Sequence, residues 1–139
     1  MQTPRLPDPT AGSNAPRLRK VLGVPLLTTT YAGLADLCMQ WARNGGVTAL
    51  DFANTQTVTM IRHEDSFRAA TAAFDYMAPD GMPLIWCLNR AGARLRDRVY
   101  GPAFMKHFLD RVPAEFTHYL VGGSEECGRG LRTDRKRHV

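Results

Sequence analysis

Tyr76-Met77-Ala78-Pro79-Asp80-Gly81-Met82-Pro83-Leu84-Ile85-Trp86 decides how this chain is read. Tyr76 to Ala78 is a short apolar run that suits a strand, and Pro79-Asp80-Gly81 is a turn sequence. Leu84, Ile85 and Leu88 then fall at helical spacing, and Gly92 closes the helix. Strand, sharp turn, helix is the unit from which α/β domains are built.

The same unit recurs on either side. Val21 to Leu27 (Val-Leu-Gly-Val-Pro-Leu-Leu) is read as a first strand and its exit, and Thr28 to Thr30 offer an N-cap. Leu34, Leu37, Cys38, Trp41 and Ala42 form the stripe of an amphipathic helix that stops at Asn44-Gly45-Gly46. Val47 to Ala53 suits a buried strand, Asn54 opens a polar turn, and Val58 and Ile61 mark a short helix. A further helix fits 64–75, with Phe67, Ala70, Thr71 and Phe74 on one face. Arg94 to Arg98 is a charged connector. Phe104, Met105, Phe108, Leu109 and Val112 mark a helix ended by Pro113, and His118 to Val121 reads as a strand running into Gly122-Gly123. The expected fold is α/β, a Rossmann-like, mainly parallel sheet flanked by helices and incomplete at the C-terminus. Its boundaries are a flexible leader at 1–20, the α/β part at 21–131 and a basic tail at 132–139.

With 139 residues, 44% hydrophobic and 22% charged, the chain has the size and composition of one folding domain. No apolar run approaches the roughly 20 residues of a membrane-spanning helix, and the N-terminus shows no apolar signal-peptide core. A cytoplasmic protein is expected. The net charge of +5 sits at the ends: 1–20 and 124–139 together hold nine basic and four acidic residues, and 21–123 holds nine of each. Such ends touch anionic lipid or nucleic acid weakly or are simply solvated. Cys38, Cys87 and Cys127 form no C-x-x-C pair, and the four histidines show no ligand spacing, so neither a disulfide framework nor a metal site is expected. Cys38 and Cys87 read as small core residues.

Ligands of parallel α/β sheets bind outside the carboxyl ends of the strands. Asn54, Asp80 and Gly122-Gly123-Ser124 all fall at such ends. Asp80 is the leading candidate: a carboxylate there lies near a helix N-terminus and can take a proton from a hydroxyl as general base. Pattern alone favours a turn or capping residue. Asn54 offers hydrogen bonds to a sugar or diphosphate, or caps a helix. Gly122 and Gly123 would let a phosphate approach backbone N–H groups, or form a plain turn. Arg98 would pair with a phosphate, or belong to a solvated connector. No Asp-x-Asp occurs, so the usual metal-binding carboxylate pair for nucleotide-sugars is absent.

Five short motifs, in this order and spacing, resemble the WecB/TagA/CpsF glycosyltransferase family: Val21-Leu22-Gly23-Val24-Pro25, Asn54 after its strand, Pro79 to Trp86, Arg98-Val99-Tyr100-Gly101-Pro102, and Tyr119-Leu120-Val121-Gly122-Gly123. The resemblance spans roughly residues 20 to 131. It implies a bacterial enzyme moving an N-acetylhexosamine, typically N-acetylmannosamine, from a UDP-sugar to a sugar on a polyprenyl diphosphate, without a cofactor. Cell-surface polysaccharide or teichoic acid synthesis is the implied setting, at the inner face of the plasma membrane. The family's base falls on Asp80. Asn54, Gly81, Arg98, Gly101, Gly122 and Gly123 fall on its substrate-binding positions.

Three departures stand out. Phe52-Ala53 replaces the family's usual Thr-Pro, Ala103 replaces an acidic residue, and the family's later strands and basic appendage are not matched. From these follow two alternatives to a working transferase. One is an inactive fragment of such an enzyme, paired with another chain, a second copy included, through an open sheet edge. The other is a small anion-binding module acting through its basic ends; the neutral centre argues against nucleic acid as its partner.

Overall fold

The computed structural model describes residues 15–136. The chain opens with an antiparallel hairpin, β1 (Leu18–Val21) and β2 (Val24–Leu27), in which Val21 faces Val24 and Leu18 faces Leu27. One strand was expected here. The run is instead folded in two at Leu22-Gly23, whose φ values of 50° and 87° make the two-residue turn that matches strand twist. Strand β1 thus starts inside the segment read as a leader, and residues 1–14 of that segment lie outside the described ones.

Helix α1 (Tyr31–Arg43) is capped by Thr30, whose hydroxyl accepts from the Gly33 N–H. Strand β3 (Leu50–Ala53) follows, then α2 (Thr55–His63), α3 (Asp65–Thr71) and β4 (Tyr76–Pro79). β3 and β4 pair in parallel, Leu50 opposite Tyr76 and Ala53 opposite Pro79, so both strands end at the same edge. Helix α4 (Met82–Arg90) leaves that edge, with Pro83 in its first turn, where a missing N–H is harmless. Helix α5 (Gly101–Arg111) is stopped by Pro113, and α6 (Glu125–Lys136) closes the described chain.

The result is a mixed α/β domain with short sheets, one of them a parallel pair, flanked by helices, in keeping with an incomplete Rossmann-like fold. Its core has two parts. Val21, Val24, Leu26, Val58, Leu84, Ile85 and Leu88 join the hairpin to α2 and α4. Leu27, Leu34, Ala78, Val99 and Phe104 join β2, α1, β4 and α5. Each of the valine, leucine, isoleucine and phenylalanine side chains among them contributes about 1.5–3 kcal/mol of burial.

Two further expectations are corrected. His118 to Val121 forms no strand: among the described residues no strand runs beside it to complete a ladder, and Tyr119 and Val121 stand exposed. The segment after it is helical. Ser124 Oγ accepts from the Cys127 N–H, and Glu125 and Glu126 complement the N-terminal end of the α6 dipole. Cys87 lies exposed on the outer side of α4 rather than in the core.

Cys38 does sit half-buried against the core, and that burial raises its thiol from 9.0 to about 11. Only thiolate alkylates. Iodoacetamide at pH 8, followed by peptide mass spectrometry, is therefore expected to modify Cys87 and Cys127 first. Cys38 should lag by about a hundredfold, the thiolate lost to two units of pKa.

Candidate active site

The paired ends of β3 and β4 bring Asn54 and Asp80 to one edge of the sheet. The Asp80 N–H donates to the Ala53 carbonyl at 2.8 Å, which carries the ladder one residue beyond the strand. Asn54 caps α2, its Oδ1 accepting from the Thr57 N–H at 2.9 Å and from the Thr57 hydroxyl at 3.2 Å. The capping alternative is thus realised, yet the Asn54 NH2 group is left with no protein partner among the described residues. Gly81 is buried and extended, and its carbonyl accepts from the Leu84 N–H at 3.1 Å to start α4. A Cβ at Gly81 would lie 3.8 Å from Thr55 Oγ1, so the openings of α2 and α4 adjoin.

The connector returns to this edge because of Val99. Its N–H donates to the Pro79 carbonyl at 3.0 Å and its side chain is buried, which sets Arg98 and Gly101 on either side of the Asp80 carboxylate. Arg98 Nη1 lies 3.9 Å from Asp80 Oδ1, and the Gly101 N–H donates to Asp80 Oδ2 at 3.4 Å. The Asp80 side chain is only 17% exposed, whereas Arg98 is half in solvent with its guanidinium 5.0 Å from the Tyr100 ring. A negative charge at Asp80 meets a cation on one side and the first turn of α5 on the other. Both contacts are long, so either donor can turn to an incoming anion at little cost.

Two residues that support this edge escape sequence reasoning. Val99 carries only the weak signal of an apolar residue at the end of an arginine-rich run. Tyr31 carries none: its hydroxyl accepts from the Tyr100 N–H at 3.0 Å, across 69 residues of chain, and holds the start of α5 in place.

Phe52, where the family's threonine was expected, packs under α5. A Cβ at Gly101 would come 3.3 Å from the Phe52 ring, closer than ordinary contact, so a side chain there would push the ring aside. Gly101→Ala is expected to cost about 1 kcal/mol through overpacking, read as a lower urea midpoint at unchanged slope.

Gly122 and Gly123 are not brought to this cluster. Both have positive φ, 103° and 73°, and form the turn that leads into α6. A Cβ at Gly122 would meet nothing within 4 Å, and one at Gly123 only Cys127 of that helix. A cavity of about 500 Å³ exists elsewhere, lined by Leu22, Ile61, Phe74, Tyr76 and Met77. It opens at the amino end of β4, the wrong end for ligands of a parallel sheet, so the Asp80 edge is the better candidate. Among the described residues, no three His, Cys, Asp or Glu side chains are grouped to hold a metal ion, and no helix is long and apolar enough to cross a membrane.

A parallel strand pair ending in a sheltered carboxylate, flanked by an arginine, an unused amide and a helix N-terminus, offers the groups that a polar, phosphate-bearing ligand requires. Comparison with known families narrows that class. The chain belongs to the glycosyl transferase WecG/TagA/CpsF family, which it matches over residues 19–138. The match runs through 132–138, which the sequence reading set apart as a tail unlike the family. No curated protein matched the chain. Family membership implies a nucleotide-sugar donor and a sugar acceptor.

Proposed function

We propose that the Asp80 edge is the catalytic centre of an inverting hexosaminyl transfer from a UDP-sugar, typically UDP-N-acetylmannosamine, to a sugar carried on a polyprenyl diphosphate. The observation that carries this reading is the placement of the Asp80 carboxylate, sheltered at the carboxyl end of β4 with Arg98 and the α5 N-terminus beside it. In the reaction, the acceptor hydroxyl oxygen attacks the anomeric carbon as the bond to the UDP oxygen breaks. The hydroxyl proton passes to an Asp80 oxygen, and the bonding pair leaves with UDP. Arg98 swings from its loose contact with Asp80 toward the diphosphate and offsets the charge that develops there. Asn54 donates its free NH2 to a donor oxygen, and Gly81 and Gly101 keep the backbone close enough to line the pocket. Gly122 and Gly123 stay candidates for backbone contacts to the nucleotide at the start of α6. The biological setting would be cell-surface polysaccharide or teichoic acid synthesis.

The test is transfer of labelled N-acetylmannosamine from its UDP donor to a synthetic lipid-diphosphate N-acetylglucosamine by the purified chain. A product with inverted anomeric configuration is expected. A folded chain that transfers no hexosamine from any UDP donor would overturn the assignment.

A further inference from the structure

We propose that the outer side of α4, with the Arg90–Arg98 connector and the neighbouring edge of β1, docks on the headgroups of an anionic membrane. Arg19 was assigned with the basic ends of the chain, but it stands in β1, and its guanidinium comes 3.8 Å from where a Cβ on Gly92 would lie. That places it beside the turn that links Arg90 to Arg94. The connector from 90 to 98 carries four arginines against one aspartate. Among the described residues, Arg19, Arg90, Arg94 and Arg96 have no ion-pair partner, and all are exposed.

The connector that presents these cations is fixed in place. The Ala93 N–H donates to the Leu88 carbonyl at 3.0 Å, and the Asn89 side chain grips Leu95 in both directions, donating to its carbonyl at 2.8 Å and accepting from its N–H at 2.6 Å. Arg94 is held at φ 58°, a left-handed conformation costly for a non-glycine residue. Arg90 at the end of α4, and Arg94 and Arg96 on the braced connector, are therefore carried by fixed backbone, and Arg19 reaches the turn between Arg90 and Arg94 from β1.

Trp86 selects the partner. It is 64% exposed on α4, one turn before Arg90 and on the same side of the helix. An indole presented beside arginines on a convex helix suits the headgroup level of a bilayer, where the ring enters the interface and the cations meet lipid phosphates. Nucleic acid would ask for a basic groove with stacking rings along it, whereas Trp86 stands alone on its helix and the exposed ring nearest the connector, Tyr100, lies under the Arg98 guanidinium. Arg98 ends the same connector, so a bilayer under this face would lie close to the Asp80 edge. The inference extends the reading above, which sets the acceptor in a lipid. It is tested by binding alone, so the two can fail separately.

The experiment is co-sedimentation of the full chain with vesicles of phosphatidylcholine alone, and with vesicles holding about one third phosphatidylglycerol. Binding is expected only to the second, weakening as salt rises. An Arg90→Gln, Arg94→Gln, Arg96→Gln triple variant, which keeps every terminal cation and all residues of the Asp80 edge, should bind on the order of a hundredfold more weakly. In a Trp41→Phe background, Trp86 emission should shift to the blue on binding. Unchanged binding by the triple variant, its fold verified by circular dichroism, would overturn the proposal, as would an unmoved Trp86 spectrum. Duplex DNA bound as tightly as the anionic vesicles would also overturn it, in favour of a nucleic-acid face.

Discussion

Asp80→Asn is expected to lower sugar transfer by roughly 10²- to 10⁴-fold, the worth of a positioned general base, and to leave the fold in place. The substitution keeps shape and volume. The amide oxygen still accepts from the Gly101 N–H, and the backbone bond from Asp80 N–H to the Ala53 carbonyl is untouched. What disappears is the ability to take a proton and the contact with Arg98. At 3.9 Å, with Arg98 half in solvent, that contact is worth at most about 1 kcal/mol. Turnover and thermal melting together separate the roles. A variant that melts with the parent and transfers sugar at the parental rate would reduce Asp80 to the turn residue its Pro-Asp-Gly context allows.

The largest expected loss of stability is at Phe104. It is 6% exposed on α5, with its ring centroid 5.4 Å from Phe52 of β3 and 5.7 Å from Phe108. Phe104→Ala removes the ring that bridges helix and strand, and the neighbours are too large and too constrained to close the gap. The expected cost is about 3–5 kcal/mol, a large part of the 5–15 kcal/mol a domain of this size has in total. Urea unfolding of the variant beside Ala103→Ser checks it. Ala103 is exposed one residue away on the same helix, so its substitution should stay within about 0.5 kcal/mol. Equal midpoints would mean that α5 is not anchored through this ring.

The two predictions meet at α5, whose first N–H is a partner of Asp80. That link also marks how far the sequence could be read. Strand, turn and helix around Asp80 were legible because each carries local chemistry: a short apolar run, Pro-Asp-Gly, and apolar residues at helical spacing. The Thr30 and Asn54 caps were legible for the same reason. The return of Arg98 and Gly101 to the Asp80 edge depends on the backbone bond from Val99 to Pro79 and on the Tyr31 hydroxyl, and no spacing rule encodes bonds between segments 20 or 69 residues apart. The hairpin was missed because Leu22-Gly23 lacks the Asn-Gly or Asp-Gly signature of its turn. His118 to Val121 has the composition of a strand and no partner strand among the described residues, and composition cannot supply a partner. Cys87 was placed inside because it follows Ile85 and precedes Leu88, although on α4 it falls on the other side of the helix.

The two strand pairs differ in one respect that bears on how the chain reaches this structure. β1 and β2 are joined by two residues, whereas β3 and β4 are joined across α2 and α3. A hairpin closes in roughly 1–10 μs because little chain entropy is lost, while a parallel pair must wait for distant segments to meet. The hairpin can therefore stand as a finished apolar wall, Val21, Val24 and Leu26 presented together, before the parallel pair exists. The later strands would assemble against a surface already made. The Asp80 edge, which depends on the parallel pair, on α5 and on the Val99 bond, would be the last part of the molecule to take shape.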